Sequence, residues 1–145
     1  MKNIFNIGVV GLGNIGSYFC NLLISKEKEI ELKTGKIVNL KFVSAKSSKK
    51  KRKFKYKKKQ WVNNPLDITK DPSIDIVVEL VGGADGLAKK IVLSSLINKK
   101  HVITANKALI AKHGNFLSSV AEKNKVNLEY EASVAGGIPV IRNLN

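Results

Sequence analysis

The chain is poor in the residues that mark several protein classes. It has one cysteine in 145 residues, which excludes a disulfide framework and a multi-thiolate metal site. Its two histidines, His101 and His113, are too few and too far apart for a metal cluster. No stretch approaches the ~18 consecutive apolar residues that a membrane-spanning helix needs. The opening MKNIFNIGVV goes straight into a strand pattern, without the apolar core and small-residue cleavage site of a secretory leader. These absences lead us to expect a soluble protein of the reducing cytoplasm, without a membrane partner. The length suits about one domain, since domains run roughly 100–200 residues.

Acidic residues are scarce too: 11 against 26 basic ones, for a formal net charge of +15. Ten of the basic residues fall in 46–59 (KSSKKKRKFKYKKK), which carries no acid and accounts for all but +5 of that charge. The run has neither helical nor strand period and reads as a loop. Phe54 and Tyr56 interleave with its lysines, as in a groove for single-stranded nucleic acid, and this makes a polyanion-binding module the alternative reading. Arginine opposes it. Only Arg52 and Arg142 are present, and guanidinium groups supply most bidentate contacts to bases and phosphates. No specific nucleic-acid partner is therefore expected. Trp61, just after the run, reads as a packing anchor.

The remainder alternates between strand and helix. Ile4–Val10 is a β-branched run ending at glycine, as a buried parallel strand does. Asn14–Ser25 has apolar residues at helical spacing, polar residues follow, and Thr34–Gly35 suits a turn. Ile37–Ala45, Ile74–Val81, His101–Thr104 and Val126–Ala132 read as further strands. Pro65–Thr69 suits one helical turn. Ala84–Asn98 and Ala108–Lys123 read as helices, the latter broken at Gly114. This order predicts right-handed βαβ units: a Rossmann-like, doubly wound, mostly parallel α/β sheet with helices on both faces, over residues 1–145. Ligands of such sheets gather at the carboxyl ends of the strands. Cys20, in the middle of the first helix, reads as a core thiol.

Four candidate sites lie there. Gly11-Leu12-Gly13-Asn14-Ile15-Gly16 is a complete G-x-G-x-x-G between a strand and a helix. In that setting Gly11 allows the tight turn, Gly13 lets a pyrophosphate approach, and Gly16 lets helix and strand pack closely. The helix N-terminus offers free amides to the phosphates. An ordinary glycine-rich turn is the competing reading. The second strand ends in Ser44-Ala45-Lys46, where NAD-preferring folds place an acid on the ribose 2′-hydroxyl; its absence and Lys46 favour NADP over NAD. Thr104-Ala105-Asn106-Lys107 closes the fourth strand, where Lys107 could hydrogen-bond a substrate oxygen during hydride transfer. A lone lysine is ordinarily solvent-facing. Finally, Glu131 and the Gly136-Gly137 turn could hold a hard cation through oxygen atoms, although spacing alone favours a plain connection.

Taken together, GVVGLGNIGS (8–17), DIVVELVGG (75–83), HVITANKALIAKHG (101–114) and YEASVAGGIPVI (130–141) resemble the N-terminal domain of homoserine dehydrogenases, in order and spacing, across nearly the whole chain. The second half of the resemblance is far more specific than the glycine fingerprint. It implies NAD(P)-linked interconversion of L-homoserine and L-aspartate 4-semialdehyde in threonine, methionine and isoleucine synthesis. It implies cofactor contacts at Leu12, Gly13, Asn14, Ile15, Lys46, Thr104 and Lys107, with Lys107 one of two catalytic lysines. It also implies a structural sodium ion on Glu131, Val134, Gly136 and Ile138, and homo-oligomeric full-length relatives. The family's catalytic and dimerisation domain has no counterpart in these residues. The polypeptide is accordingly expected to bind dinucleotide weakly and not to turn over alone. Aspartate-semialdehyde and glyceraldehyde-phosphate dehydrogenases have similar first domains but need a nucleophilic cysteine late in the fold. Dihydrodipicolinate reductases lack the 101–114 segment.

Overall fold

A computed structural model describes residues 2–130. Five parallel strands form one sheet: β1 (Ile4–Val10), β2 (Ile37–Ser44), β3 (Ile76–Glu79), β4 (His101–Thr104) and β5 (Leu128–Glu129). Their order is β2-β1-β3-β4-β5, so the chain moves outward from β1 to β2 and then returns to place β3 on the other side of β1. That reversal opens a crevice at the carboxyl ends of β1 and β3, where open α/β sheets bind ligands.

The two faces follow from period-two alternation. On one face Ile7 and Val9 of β1 and Ile76 and Val78 of β3 meet Phe19, Cys20 and Leu23 of α1 (Asn14–Ser25) and Ile30 of α2 (Glu27–Thr34). On the other, Val10 and Val77 meet Ile68 of α3 (Pro65–Lys70) and Ile91 of α4 (Leu87–Ile97). A third cluster joins Val92 and Leu96 of α4 to Val102 of β4 and to Leu109, Leu117 and Ala121 of α5 (Lys107–Asn124). Burial of both faces explains why the strands read as nearly continuous apolar runs.

The elements depart from expectation in instructive ways. The polar stretch after α1 is a second helix, α2. It has only Ile30 to bury, is braced by Lys26 and Lys33 ion pairs to Glu29 at 2.6 and 2.7 Å, and stops where Gly35 turns left-handed. α5 does not break at Gly114 but runs through it for 18 residues. An interior glycine costs about 1 kcal/mol relative to alanine, which the buried face of a capped helix outweighs. β3 is shorter than its apolar run, ending at Glu79, and α4 begins at Leu87 rather than Ala84. β5 covers only Leu128–Glu129 of the expected 126–132 among the described residues.

The basic run is not a plain solvated loop. Phe54 is buried in the α1 face of the core, and Tyr56 and Trp61 pack against the same cluster. The Tyr56 and Trp61 rings stack at 5.7 Å, with the Arg52 guanidinium 5.3 Å from the Trp61 ring. Arg52 also donates to the carbonyls of Ser47 and Lys50. A short 3-10 turn at Lys58–Gln60 then brings the chain alongside the outer edge of β2. There Gln60 Nε2 donates to the Leu40 carbonyl at 2.6 Å, and the Val62 amide donates to Val43 at 2.9 Å. Of the aromatic side chains that a nucleic-acid groove would leave free for stacking, Phe54 is thus built into the core and half-buried Tyr56 packs against it, and the run's own arginine knits the loop together.

Candidate functional site

The glycine fingerprint lies in the β1/β3 crevice, and its three glycines have three different reasons. Gly11 takes φ 98°, and a β-carbon there would meet the Leu80 backbone at 2.5 Å. Its amide donates to the Ser44 carbonyl at 2.9 Å, tying the turn to the end of β2. Gly16 faces the same turn: a β-carbon would sit 1.9 Å from the Gly11 carbonyl oxygen. Both are demanded by the protein's own packing. Gly13 is not. Its φ is −72°, ordinary for any residue, and a β-carbon there would meet nothing within 4 Å. The open space over Gly13 is where a ligand would need the bare backbone.

Gly13 is also the N-cap of α1, so no side chain caps the helix. The first-turn amides are donors without intrahelical acceptors, and the helix dipole adds positive potential there. By contrast α3 and α5 are capped by Asn64 and Asn106 side chains. Leu12 is buried beneath the turn, whereas Asn14 and Ile15 are exposed on its rim, Ile15 by 60%. An uncapped N-terminus, an open glycine and a flanking apolar side chain suit a pyrophosphate and the groups attached to it.

The far wall of the crevice is held by a residue that the sequence reading did not single out. Glu79, at the end of β3, is fully buried. Its Oε1 accepts from the amides of Val81 (2.6 Å) and Gly82 (3.3 Å), and its Oε2 accepts from the Thr104 hydroxyl at 2.6 Å. Thr104 Oγ1 in turn accepts from the Asn106 amide at 3.1 Å, and Asn106 Nδ2 donates to the Gly83 carbonyl at 2.6 Å. One buried carboxyl group therefore ties the loop after β3 to the loop after β4. The signal was an acid inside the otherwise apolar run IVVELV at 76–81, where β3 ends. Thr104 is fully buried with its hydroxyl spent on these bonds, so it positions this wall rather than presenting a surface.

Asn106 Oδ1 caps α5 by accepting from Leu109 N at 3.0 Å, and this places exposed Lys107 in the first turn at the mouth of the crevice. Asp85, in the loop before α4, pairs with Lys112 at 2.6 Å and His113 at 2.8 Å on α5. These two hydrogen bonds pull its carboxyl down to about 2. Lys46 is exposed just beyond the end of β2. Cys20 is fully buried, and burial pushes its thiol up to about 12. It is a core group, as expected. Glu131, Val134, Gly136 and Ile138 lie outside the described residues. No group of three or more His, Cys, Asp or Glu suited to a metal occurs among the described residues. No helix there is long and apolar enough to cross a membrane.

A parallel sheet with its strand order reversed at β1/β3, and a glycine cradle at an uncapped helix in that crevice, define a dinucleotide-binding domain of the Rossmann type. The family model for "Homoserine dehydrogenase, NAD binding domain" matches residues 11–131, and the chain belongs to that family. It is 38% identical over 139 residues to the homoserine dehydrogenase of Neisseria gonorrhoeae, covering 96% of this chain and 32% of that one. It is 36% identical over 138 residues to that of Bacillus subtilis, covering 95% and 32%. Among solved structures, Staphylococcus aureus homoserine dehydrogenase at pH 7.5 superposes with TM-score 0.84 at 36% identity, over 92% of this chain and 34% of that one. The enzyme from Thiobacillus denitrificans gives 0.83 at 33% identity, over 97% and 32%. The chain thus spans about a third of the length of the curated relatives it matches.

Proposed function

We propose that residues 1–145 form the dinucleotide-binding part of a homoserine dehydrogenase, which interconverts L-homoserine and L-aspartate 4-semialdehyde with NADP preferred to NAD. The observation that carries the reading is Gly13. It is a glycine that neither backbone conformation nor packing requires, and it caps an otherwise uncapped helix in the crevice. The NADP preference is supported by the end of β2, where Ser44-Ala45-Lys46 offers an ammonium and no carboxylate to the adenosine ribose. The four dehydrogenases compared above carry the homoserine assignment through their names.

Oxidising a primary alcohol to an aldehyde removes a hydride from carbon and a proton from oxygen. The bound dinucleotide supplies the hydride acceptor. The chain's residues do the rest of the work on this side of the site. Leu12, Gly13, Asn14 and Ile15 hold the pyrophosphate end, and Gly11 and Gly16 set the turn that presents them. Lys46 would hold the 2′-phosphate. The Glu79–Thr104–Asn106 network fixes the loops after β3 and β4, which would flank the nicotinamide. Lys107 donates a hydrogen bond to the substrate oxygen and takes part in moving its proton. Its partner lysine and the groups gripping the amino acid have no counterpart in residues 1–145, so turnover is proposed to need the rest of a family-length chain. The sodium ion on Glu131, Val134, Gly136 and Ile138, a homo-oligomeric assembly and a cytoplasmic location rest on the resemblance, the last also on the single buried thiol.

Calorimetric titration with NADPH and with NADH, each at low and high salt, tests the reading. Saturable binding that persists at high salt, favours NADPH and reverses its preference in Lys46→Glu is the expected result. Equal binding of the two cofactors in the wild type would remove the NADP assignment. A folded sample with no saturable binding of either would remove the proposal that these residues capture the dinucleotide themselves.

A further inference from the structure

Lys46, proposed above to hold the 2′-phosphate, is an exposed side chain on a loop. What sets its place is the backbone on either side of it. Before it, the Gly11 amide donates to the Ser44 carbonyl at 2.9 Å, tying the end of β2 to the glycine turn. After it, Arg52 Nη2 donates to the Ser47 carbonyl at 2.6 Å, and Nη1 donates to the Lys50 carbonyl at 3.0 Å. Lys46 therefore sits between two anchored residues, Ser44 and Ser47.

The second anchor is itself fixed. The Arg52 guanidinium lies 5.3 Å from the Trp61 ring, which stacks on Tyr56 at 5.7 Å. Trp61 bridges to Val43 of β2, and the next amide, Val62, donates to the Val43 carbonyl at 2.9 Å. The guanidinium fork is thus mounted on the same strand end from which Lys46 leaves. With both terminal nitrogens on carbonyls and Nε buried without a partner, the guanidinium is turned into the loop.

Backbone carbonyls receive the fork's protons without cancelling its charge, so the loop is fixed and keeps its positive potential. A carboxylate in their place would neutralise the guanidinium. A run this basic repels itself and favours a spread ensemble; a planar fork on two carbonyls and a ring opposes that at small entropic cost. We propose that Arg52 is a positioning residue for recognition of the 2′-phosphate. It touches no cofactor itself. It sets the 46–50 loop in advance, so that Lys46 meets the phosphate without having to be ordered at the moment of binding. The inference rests on the NADP preference proposed above.

The test is calorimetric titration of NADPH and of NADH into the wild type, Arg52→Met, Arg52→Lys and Lys53→Gln, with a thermal melt of each to show that it folds. The expected result is a wild-type preference for NADPH that falls about threefold to tenfold in both Arg52 variants while NADH affinity stays the same. That is the scale of one long side chain that must be immobilised on binding. Arg52→Lys keeps the charge and lacks the fork, so it decides alone if Arg52→Met does not fold. Lys53→Gln, exposed and outside the fork, removes the same charge and should keep the wild-type ratio. A wild type that binds both cofactors equally, or neither, removes the reading above and this inference with it. With the preference present, an unchanged ratio in Arg52→Lys, equal weakening of both cofactors, or an equal loss in Lys53→Gln overturns the positioning role alone.

Discussion

Gly13 and Gly16 sit three residues apart, and substituting them should have opposite effects on stability. Alanine at 16 places a β-carbon 1.9 Å from the Gly11 carbonyl, about 1.1 Å inside the 3.0 Å that β-carbons respect. The obstacle is backbone in a turn tied to β2, so the shift cannot be absorbed by a rotamer. Overpacking of this kind costs about 1–3 kcal/mol, against about 1 kcal/mol gained from replacing an interior helical glycine. A domain of this size loses about 3 °C per kcal/mol, so a net cost near the upper end lowers Tm by roughly 3–6 °C. Aspartate at 13 meets open space, is a better N-cap than glycine, and places a carboxylate at the positive end of the α1 dipole. Those effects together contribute about 0.3–1 kcal/mol, raising Tm by roughly 1–3 °C. The same carboxylate occupies the position proposed for the pyrophosphate, so NADPH should raise the melting temperature of the wild type and not that of Gly13→Asp. Thermal melts by circular dichroism, with and without NADPH, check both halves. A Gly13→Asp chain that melts below wild type, or that NADPH still stabilises fully, would refute the reasoning.

Three further outcomes follow from the same contacts. Glu79→Leu removes the acceptor of three hydrogen bonds and should destabilise the chain by about 2–4 kcal/mol by urea denaturation, while Thr104→Val, losing fewer, should cost about 1 kcal/mol; equal effects would dissolve the Glu79-centred network. Burial holds the His101 imidazole below its ordinary 6.5, so the unfolded chain takes up the proton first, and stability should be full above pH 6.5 and fall as the pH drops below it. An imidazole titration by NMR with a midpoint at or above 6.5 would contradict this. The Cys20 thiol should resist iodoacetamide in the native chain at pH 8 and react on unfolding, as mass spectrometry would show; rapid native alkylation would mean that α1 does not pack as described.

Much of this was legible in the residues because the signals are local. The fingerprint, the strand preceding it and the helix it opens are written in contiguous spacing, and β1, α1 and β4 appear at their expected bounds. α2 was not legible because one buried isoleucine in eight residues produces no periodicity; surface ion pairs and a glycine stop shape it instead. Trp61 was read as a packing anchor and packs as one, but the packing of Phe54 and Tyr56 was hidden for a different reason. Lysines on every side make a polar average, while the two rings find their partners only once β2 and α1 are in place. Glu79 was missed because a strand ending in an acid has many explanations, and the amides and hydroxyl that answer it come from residues 81, 82 and 104.

The chain segment laid along β2 has a consequence for assembly. An unpaired strand margin is a template on which another backbone can grow a sheet, and lysines are among the devices that prevent it. Here Gln60 and Val62 occupy carbonyls on that margin, and a fringe of ammonium groups surrounds them. At the other margin β5 is two residues long, and among the described residues no strand lies beyond it. The β2 margin is therefore covered at Leu40 and Val43, while among the described residues the β5 margin is left open to a further strand.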